Sequence, residues 1–341
     1  MLIRSKAPLR LGFAGGGTDI DSYSNKYGGN VLNATIAMFA HCTIEPTNNG
    51  KIIFNAIDLG KNAEYKSAAH LELDGNFDLF KGIYNRIVRD YSKKPLSFTM
   101  TTFSEAVRGS GLGGSSTMVV AIIQALITWL RIPLGEYEIA SLAYEIERVD
   151  VGLSGGKQDQ FATTFGGFNF MEFHKDNKVI INPLRISEES IDELQANLVL
   201  YFTGVSRDSA LIIDDQKQLA FTRNNRKLTA MHGLKDSCIH MKNALLLGEI
   251  DAFSEIMNQS WLEKKNTSDL VSTPAIDRAF DIAMTSGASA GKVNGAGGGG
   301  YIMFLVDPVK RIDVCRSLES LGGKSSLVNF YNHGVKSWRV K

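Results

Sequence analysis

The chain of 341 residues is 44% hydrophobic and 21% charged, which suits two domains, or one large one with an appended lobe, burying about three quarters of the unfolded surface. Disorder and a small disulfide-held module are excluded. Charges nearly cancel, 37 Lys and Arg against 36 Asp and Glu, and basic residues gather only in short runs such as Lys93-Lys94 and 223–227, so no nucleic-acid or membrane partner is expected.

Met1 to Arg10 carries charge without an apolar segment, unlike a signal peptide. β-type runs over Val31–Ile44 and Lys51–Ile57 flank Pro46 and the turn residues Asn48-Asn49-Gly50. Leu79, Ile83, Ile87 and Tyr91 at four-residue spacing predict a helix over Asp78–Tyr91, and Leu96–Phe103 alternates like a strand. Helices follow over Ser115–Arg131 and Gly135–Asp150. The apolar run Met118–Leu130, 13 residues, is too short for a bilayer and reads as buried. A hairpin at 167–181 precedes a strand at Leu198–Phe202, helical stretches from Ser206 to about Gly248, over Asp251–Lys264 and over Pro274–Ser286, and strands at Ser289–Val293 and Tyr301–Val306. A helix over Pro308–Leu321 and a terminal pair of strands, Ser326–Tyr331 and Val335–Val340, complete an α+β order with a boundary near 185–196. Cys42, Cys238 and Cys315 show no CxxC or zinc spacing, so free thiols in a reduced, cytoplasmic protein are expected.

Glycine is in excess, 33 residues where roughly 7% is usual, and 16 of them fall in four clusters at 12–17, 109–114, 152–156 and 295–300. The second, Gly109-Ser110-Gly111-Leu112-Gly113-Gly114-Ser115-Ser116, lies between a strand and an apolar helix, where free amides without a blocking Cβ can cradle phosphate. It matches G-x-G-x-x-G, but helix follows helix where a Rossmann unit needs a second strand, and Ser115 replaces the Walker lysine. A tight turn opening a buried helix is the plainer alternative. The fourth cluster, with Gly295, Gly297 and Gly298, joins two strands, and its run of glycines suits close packing against a ligand or another loop. Asp159 follows the third cluster and Asp19 the first; alone, the former could simply cap a turn and the latter's segment be a strand running into a loop.

Taken in order, Ala7-Pro8-Leu9-Arg10, Gly111-Leu112-Gly113-Gly114-Ser115-Ser116 and Asn294 to Gly300 resemble the three motifs of the galactokinase, homoserine kinase, mevalonate kinase and phosphomevalonate kinase (GHMP) superfamily. The resemblance covers nearly the whole chain. It implies an α+β, two-lobed fold: an N-terminal βα lobe, residues 1–190, with a left-handed crossover, and a ferredoxin-like lobe, residues 191–341. It also implies ATP and Mg²⁺ as cofactors. Gly109 to Ser116 would cradle the ATP phosphates, Ser115 and Glu147 would hold Mg²⁺, Asp159 would deprotonate or orient the acceptor hydroxyl, and Arg10 would offset charge during transfer. The interval from Glu147 to Asp159 is slightly longer than in mevalonate kinases, and a helix-end charge paired with Arg148 is the other reading of Glu147.

Gly15-Gly16-Gly17-Thr18-Asp19 stands where galactokinases have G-E-H-T-D, so Asp19 can bind a sugar hydroxyl while Gly16 and Gly17 leave room for a larger acceptor. This segment, Gly155 to Gln160 and Thr203 to Arg207 resemble the bacterial heptose 7-phosphate kinases most, then fucokinase-like enzymes. The implied reaction phosphorylates the anomeric oxygen of a heptose 7-phosphate, for nucleotide-activated heptose. Lys157, Gln158 and Arg207 are expected beside the acceptor, the two cations contacting its phosphate, with Lys6 and Arg108 as weaker choices. A decarboxylase of the diphosphomevalonate type and a non-catalytic sugar or ATP sensor are the rival readings.

Overall fold

A computed structural model describes residues 1–107, 109–205, 209–218 and 225–340. The first half supplies seven of the eight strands of a mixed sheet, the eighth coming from the end of the chain. β1 (Leu2–Ala14), β2 (Gly29–Pro46), β3 (Lys51–Ala56), β4 (Lys61–Lys66) and β5 (Phe98–Ser104) are accompanied by the short helix α1 (Asp21–Tyr27) and by α2 (Asp78–Ile87). Then come α3 (Gly114–Leu130), α4 (Glu136–Glu145), α5 (Gln158–Phe165) and the hairpin β6 (Phe168–Phe173) with β7 (Val179–Pro183). α3 is apolar nearly all round and lies inside, against β1 and β2. β3 and β5 pair in parallel, Ile52 opposite Phe98, while the other pairings in this sheet are antiparallel.

The second half begins with α6 (Glu188–Asn197) and β8 (Leu198–Phe202), followed by α7 (Ser209–Gln218), α8 (Asn225–Leu247), α9 (Ile250–Thr267) and α10 (Pro274–Ser286). β9 (Ala288–Val293), β10 (Tyr301–Val306), α11 (Arg311–Glu319), β11 (Lys324–Leu327) and β12 (Lys336–Val340) close the chain. Its sheet is antiparallel in the order β11-β8-β10-β9. The start of α10 is set by Thr273, whose hydroxyl accepts from the Ile276 amide, with Pro274 in the first turn; Gly287 ends it in the left-handed conformation.

Several elements differ from the expectations. The terminal strands are not a pair: β11 joins β8, whereas β12 crosses back to β1. The helix expected over Gly135–Asp150 ends at Glu145, and a wider turn of π type carries 146–150. The region around the expected boundary contains α6, and α1, β4 and α5 were not anticipated. One core cluster joins the two sheets, with Leu9, Leu11 and Phe13 of β1 packed among Leu198, Met241, Phe253 and Met303.

Candidate active site

Between the sheets lies a cavity of about 580 Å³, walled by all four glycine clusters. Gly109, Gly111 and Gly113 have φ of 74°, 82° and 77°, so left-handed residues alternate with others, the backbone pattern of an amide nest, at the start of α3. Only glycine fits at Gly111 on a second ground: a Cβ there would stand 2.6 Å from the Asn294 carbonyl oxygen. The fourth cluster presses on the same loop, for a Cβ on Gly295 would meet the Gly111 oxygen at 2.9 Å, and the Tyr301 amide donates to Ser110 at 2.8 Å. Gly297 and Gly298 turn against Val271, whose carbonyl accepts the Gly298 amide. Leu112 is fully buried beneath the loop, its carbonyl accepting the Arg10 amide at 3.3 Å.

Arg10 rises from β1 under this nest. Its Nη2 stands 2.7 Å from Asp159 Oδ1, its Nε donates to the same oxygen at 2.8 Å, and its Nη1 donates to the Gly111 carbonyl. Asp159 sits in the first turn of α5 beside Gly113. Glu147, 1% exposed on the π-type turn, accepts from Ser116 Oγ at 3.1 Å and from Gln160 Nε2, with Arg148 at 4.0 Å. Burial pushes its carboxyl up from the usual range. The hydroxyl at Glu147 is therefore that of Ser116, while Ser115 is exposed in the cavity wall.

On the other side Asp19 accepts from the Gly17 amide at 3.0 Å and the Gln158 amide at 2.9 Å. Gly16, Gly17 and Gln158 line the cavity, and Gln158 Nε2 is buried with no hydrogen-bond partner among the described residues. Two residues expected beside the acceptor are placed elsewhere. The Thr18 side chain is fully buried, its hydroxyl joined to Gly15 and Asn30 backbone atoms, so it ties the loop rather than facing the cavity. Lys157 is ion-paired with Asp21 and 5.4 Å from the Tyr144 ring centroid, and it is not among the residues that line the cavity. Lys6 stacks over Phe39 at 4.1 Å. Arg207 and Arg108 lie outside the described residues.

The cavity instead holds cations that the sequence reading missed. Lys264 of α9 donates to the Gly16 carbonyl at 2.9 Å and Lys292 of β9 to the Gly12 carbonyl at 2.7 Å. Both are buried, and desolvation lowers them to about 8 and about 7. A signal existed for Lys264, since Phe253, Met257, Ser260, Lys264 and Thr267 fall on one buried helical stripe. Arg148 reaches the carbonyls of Leu153 and Ser154 at 3.4 and 3.3 Å and of Gly156 at 3.3 Å, holding the third cluster in place.

An anion cradle thus faces an Arg–carboxylate pair, with polar groups beyond it for a second ligand. The families described as GHMP kinases N terminal domain and GHMP kinases C terminal match residues 78–167 and 241–324. A D-glycero-alpha-D-manno-heptose 7-phosphate kinase from Campylobacter jejuni is 49% identical over 338 residues, 99% of each chain. A crystal structure described as a D-glycero-D-manno-heptose 1-phosphate kinase from Bacteriodes thetaiotaomicron matches with TM-score 0.85 and 47% identity over 99% of both chains. The two-lobed α+β fold is shared more widely, as with the Methanococcus jannaschii mevalonate kinase at TM-score 0.76 and 21% identity, covering 97% of this chain and 98% of that one. Identity of this extent shows that the chain belongs to the GHMP kinases, which take phosphate from ATP, and is itself a kinase.

Proposed function

We propose that the protein is a sugar kinase that moves the γ-phosphoryl group of ATP to the anomeric O1 of D-glycero-D-manno-heptose 7-phosphate, giving the 1,7-bisphosphate for nucleotide-activated heptose. The observation that carries this reading is the Arg10–Asp159 pair, set between the amide nest at Gly109 to Ser116 and the small-residue loop at Gly16, Gly17 and Asp19. The full-length similarity to a heptose 7-phosphate kinase supports the acceptor.

In this reading the nest and the start of α3 hold the ATP phosphates. Asp159 receives the O1–H hydrogen bond and takes the proton as the O1–P bond forms and the bond to ADP breaks; Arg10 fixes Asp159 and offsets charge on the transferring group. Asp19 and Gln158 orient the sugar. Mg²⁺ fits the same corner. Among the described residues no cluster of three or more His, Cys, Asp or Glu is present; the buried Glu147 carboxylate with Ser115 and Ser116 offers oxygen donors of the kind a hard cation prefers, and nucleotide phosphates and water would complete the set. Bound there, Mg²⁺ would neutralise phosphate charge.

The test is ADP release with Mg-ATP across heptose 7-phosphate, heptose, fucose, galactose and mevalonate, with ³¹P–¹H coupling to locate the new phosphate. Coupling to the anomeric proton is expected; a product phosphorylated at another carbon overturns the assignment. Asp159→Asn should lower turnover roughly 10²- to 10⁴-fold with ATP affinity nearly unchanged.

A further inference from the structure

We propose that Lys264 and Lys292 form an anion subsite on the acceptor side of the cavity, and that it takes the phosphate group already present on the acceptor. The inference rests on the sugar-phosphate reading above and replaces Lys157, which faces Asp21.

Three observations carry it. First, both ammonium groups are buried and line the cavity, yet among the described residues each makes one hydrogen bond, to the carbonyl of Gly16 or Gly12, out of the three an ammonium can donate. Second, the local charge is only partly compensated. Arg10 already occupies Asp159, Asp19 offsets Lys264 through space while accepting two backbone amides, and Lys292 has no carboxylate partner among the described residues and faces Lys264 and Arg10 as like charges. Burying an unpaired cation is costly, and a neutral hydroxyl does little to relieve it, whereas a dianionic phosphate accepts several charge-assisted hydrogen bonds from such a pair. Third, the anchors divide the cavity: the lysines grip Gly12 and Gly16, on β1 and the loop after it, not the amide nest that precedes α3. Nucleotide phosphate has its own cradle, so this second cationic centre is left for the other substrate. The lowering of both lysines by desolvation agrees with a site that reaches full charge when an anion enters.

The experiment has two arms. In the first, inorganic phosphate is titrated calorimetrically into protein saturated with Mg-AMP-PNP, so that the nest is filled. Lys292→Met and Lys264→Met should each weaken phosphate binding about 10- to 100-fold, as expected for hydrogen bonds to a charged group, while Lys265→Met, on the same helix, should not. In the second arm, either substitution should raise KM for heptose 7-phosphate by a similar factor and KM for ATP less than about threefold. Lys292→Gln serves if the Met variant does not fold. Unchanged phosphate binding, an equal KM rise for heptose without its phosphate, or a fall in kcat at constant KM would each overturn the subsite. If the wild type ignores heptose 7-phosphate yet binds phosphate through these lysines, the substrate reading fails and the subsite stands.

Discussion

Gly156 has no room for a side chain, because a Cβ there would fall inside the Asp19 carboxylate. Asp19 must sit this close to receive the Gln158 amide at the start of α5. Gly156→Ala should therefore displace Asp19, raising KM for the acceptor at least 10-fold and costing about 1–3 kcal/mol in a denaturant melt, the usual range for overpacking. The buried lysines give a second prediction at this scale. Unfolded, each lysine titrates near 10.4; folded, Lys292 sits at about 7 and Lys264 at about 8. Between those values the unfolded chain binds more protons, so these groups make stability rise as pH goes from 7 toward 10. Glu147, raised by burial, opposes this wherever its folded form still holds a proton, so the comparison should be between wild type and Lys292→Met. Denaturant midpoints should show a smaller rise with pH in the variant; parallel curves would contradict the lowering of Lys292.

Among the elements, the long periodic ones were legible in the sequence, and the reason is visible in their burial. α3 carries its own apolar pattern, and the ends of α10 are written in Thr273, Pro274 and Gly287. α5 escaped because its buried side chains are largely polar. Gln160 bonds Ser116 and Glu147, and Thr163 bonds the Pro8 carbonyl at 2.9 Å, so no hydrophobic period marks the helix that carries Asp159. β4 escaped for the opposite reason, as an edge strand lying mostly exposed. The glycine clusters and Asp19 showed themselves as motifs, whereas Lys264 is marked only by its place on a buried helical stripe and Lys292 by no local pattern, and their partners, Gly16 and Gly12, are distant in sequence. The wide turn at 146–150 has its own consequence: it presents Glu147 to Ser116 and Gln160 and Arg148 to the third glycine cluster. Arg148→Met removes the donors to Leu153, Ser154 and Gly156 and should loosen 152–157, seen as faster hydrogen exchange there and a roughly 10-fold rise in acceptor KM. Unchanged exchange would show that the turn holds without its guanidinium.

The whole molecule is closed by its last strand. β12 pairs with β1 from Leu2–Val340 to Lys6–Lys336, and Ser337 meets Gln124 and Thr128 of α3 while Arg339 donates to the Thr128 carbonyl. A division after residue 190 would therefore separate the first sheet from one of its edge strands and split the core that Leu9, Leu11 and Phe13 share with β8, α8 and α9. The two lobes should melt in a single calorimetric transition, since neither keeps its apolar face covered alone. Removing residues 336–341 tests the closure directly. It strips the outer side of β1 over the residues preceding Arg10 and leaves an exposed edge of paired-strand geometry, which invites association. The truncated chain should lose more than about 5 °C in Tm and aggregate on heating. Its turnover should fall with the population that keeps Arg10 against Asp159, while full activity at an unchanged Tm would mean that β1 is held by β2 and α3 without its outer neighbour.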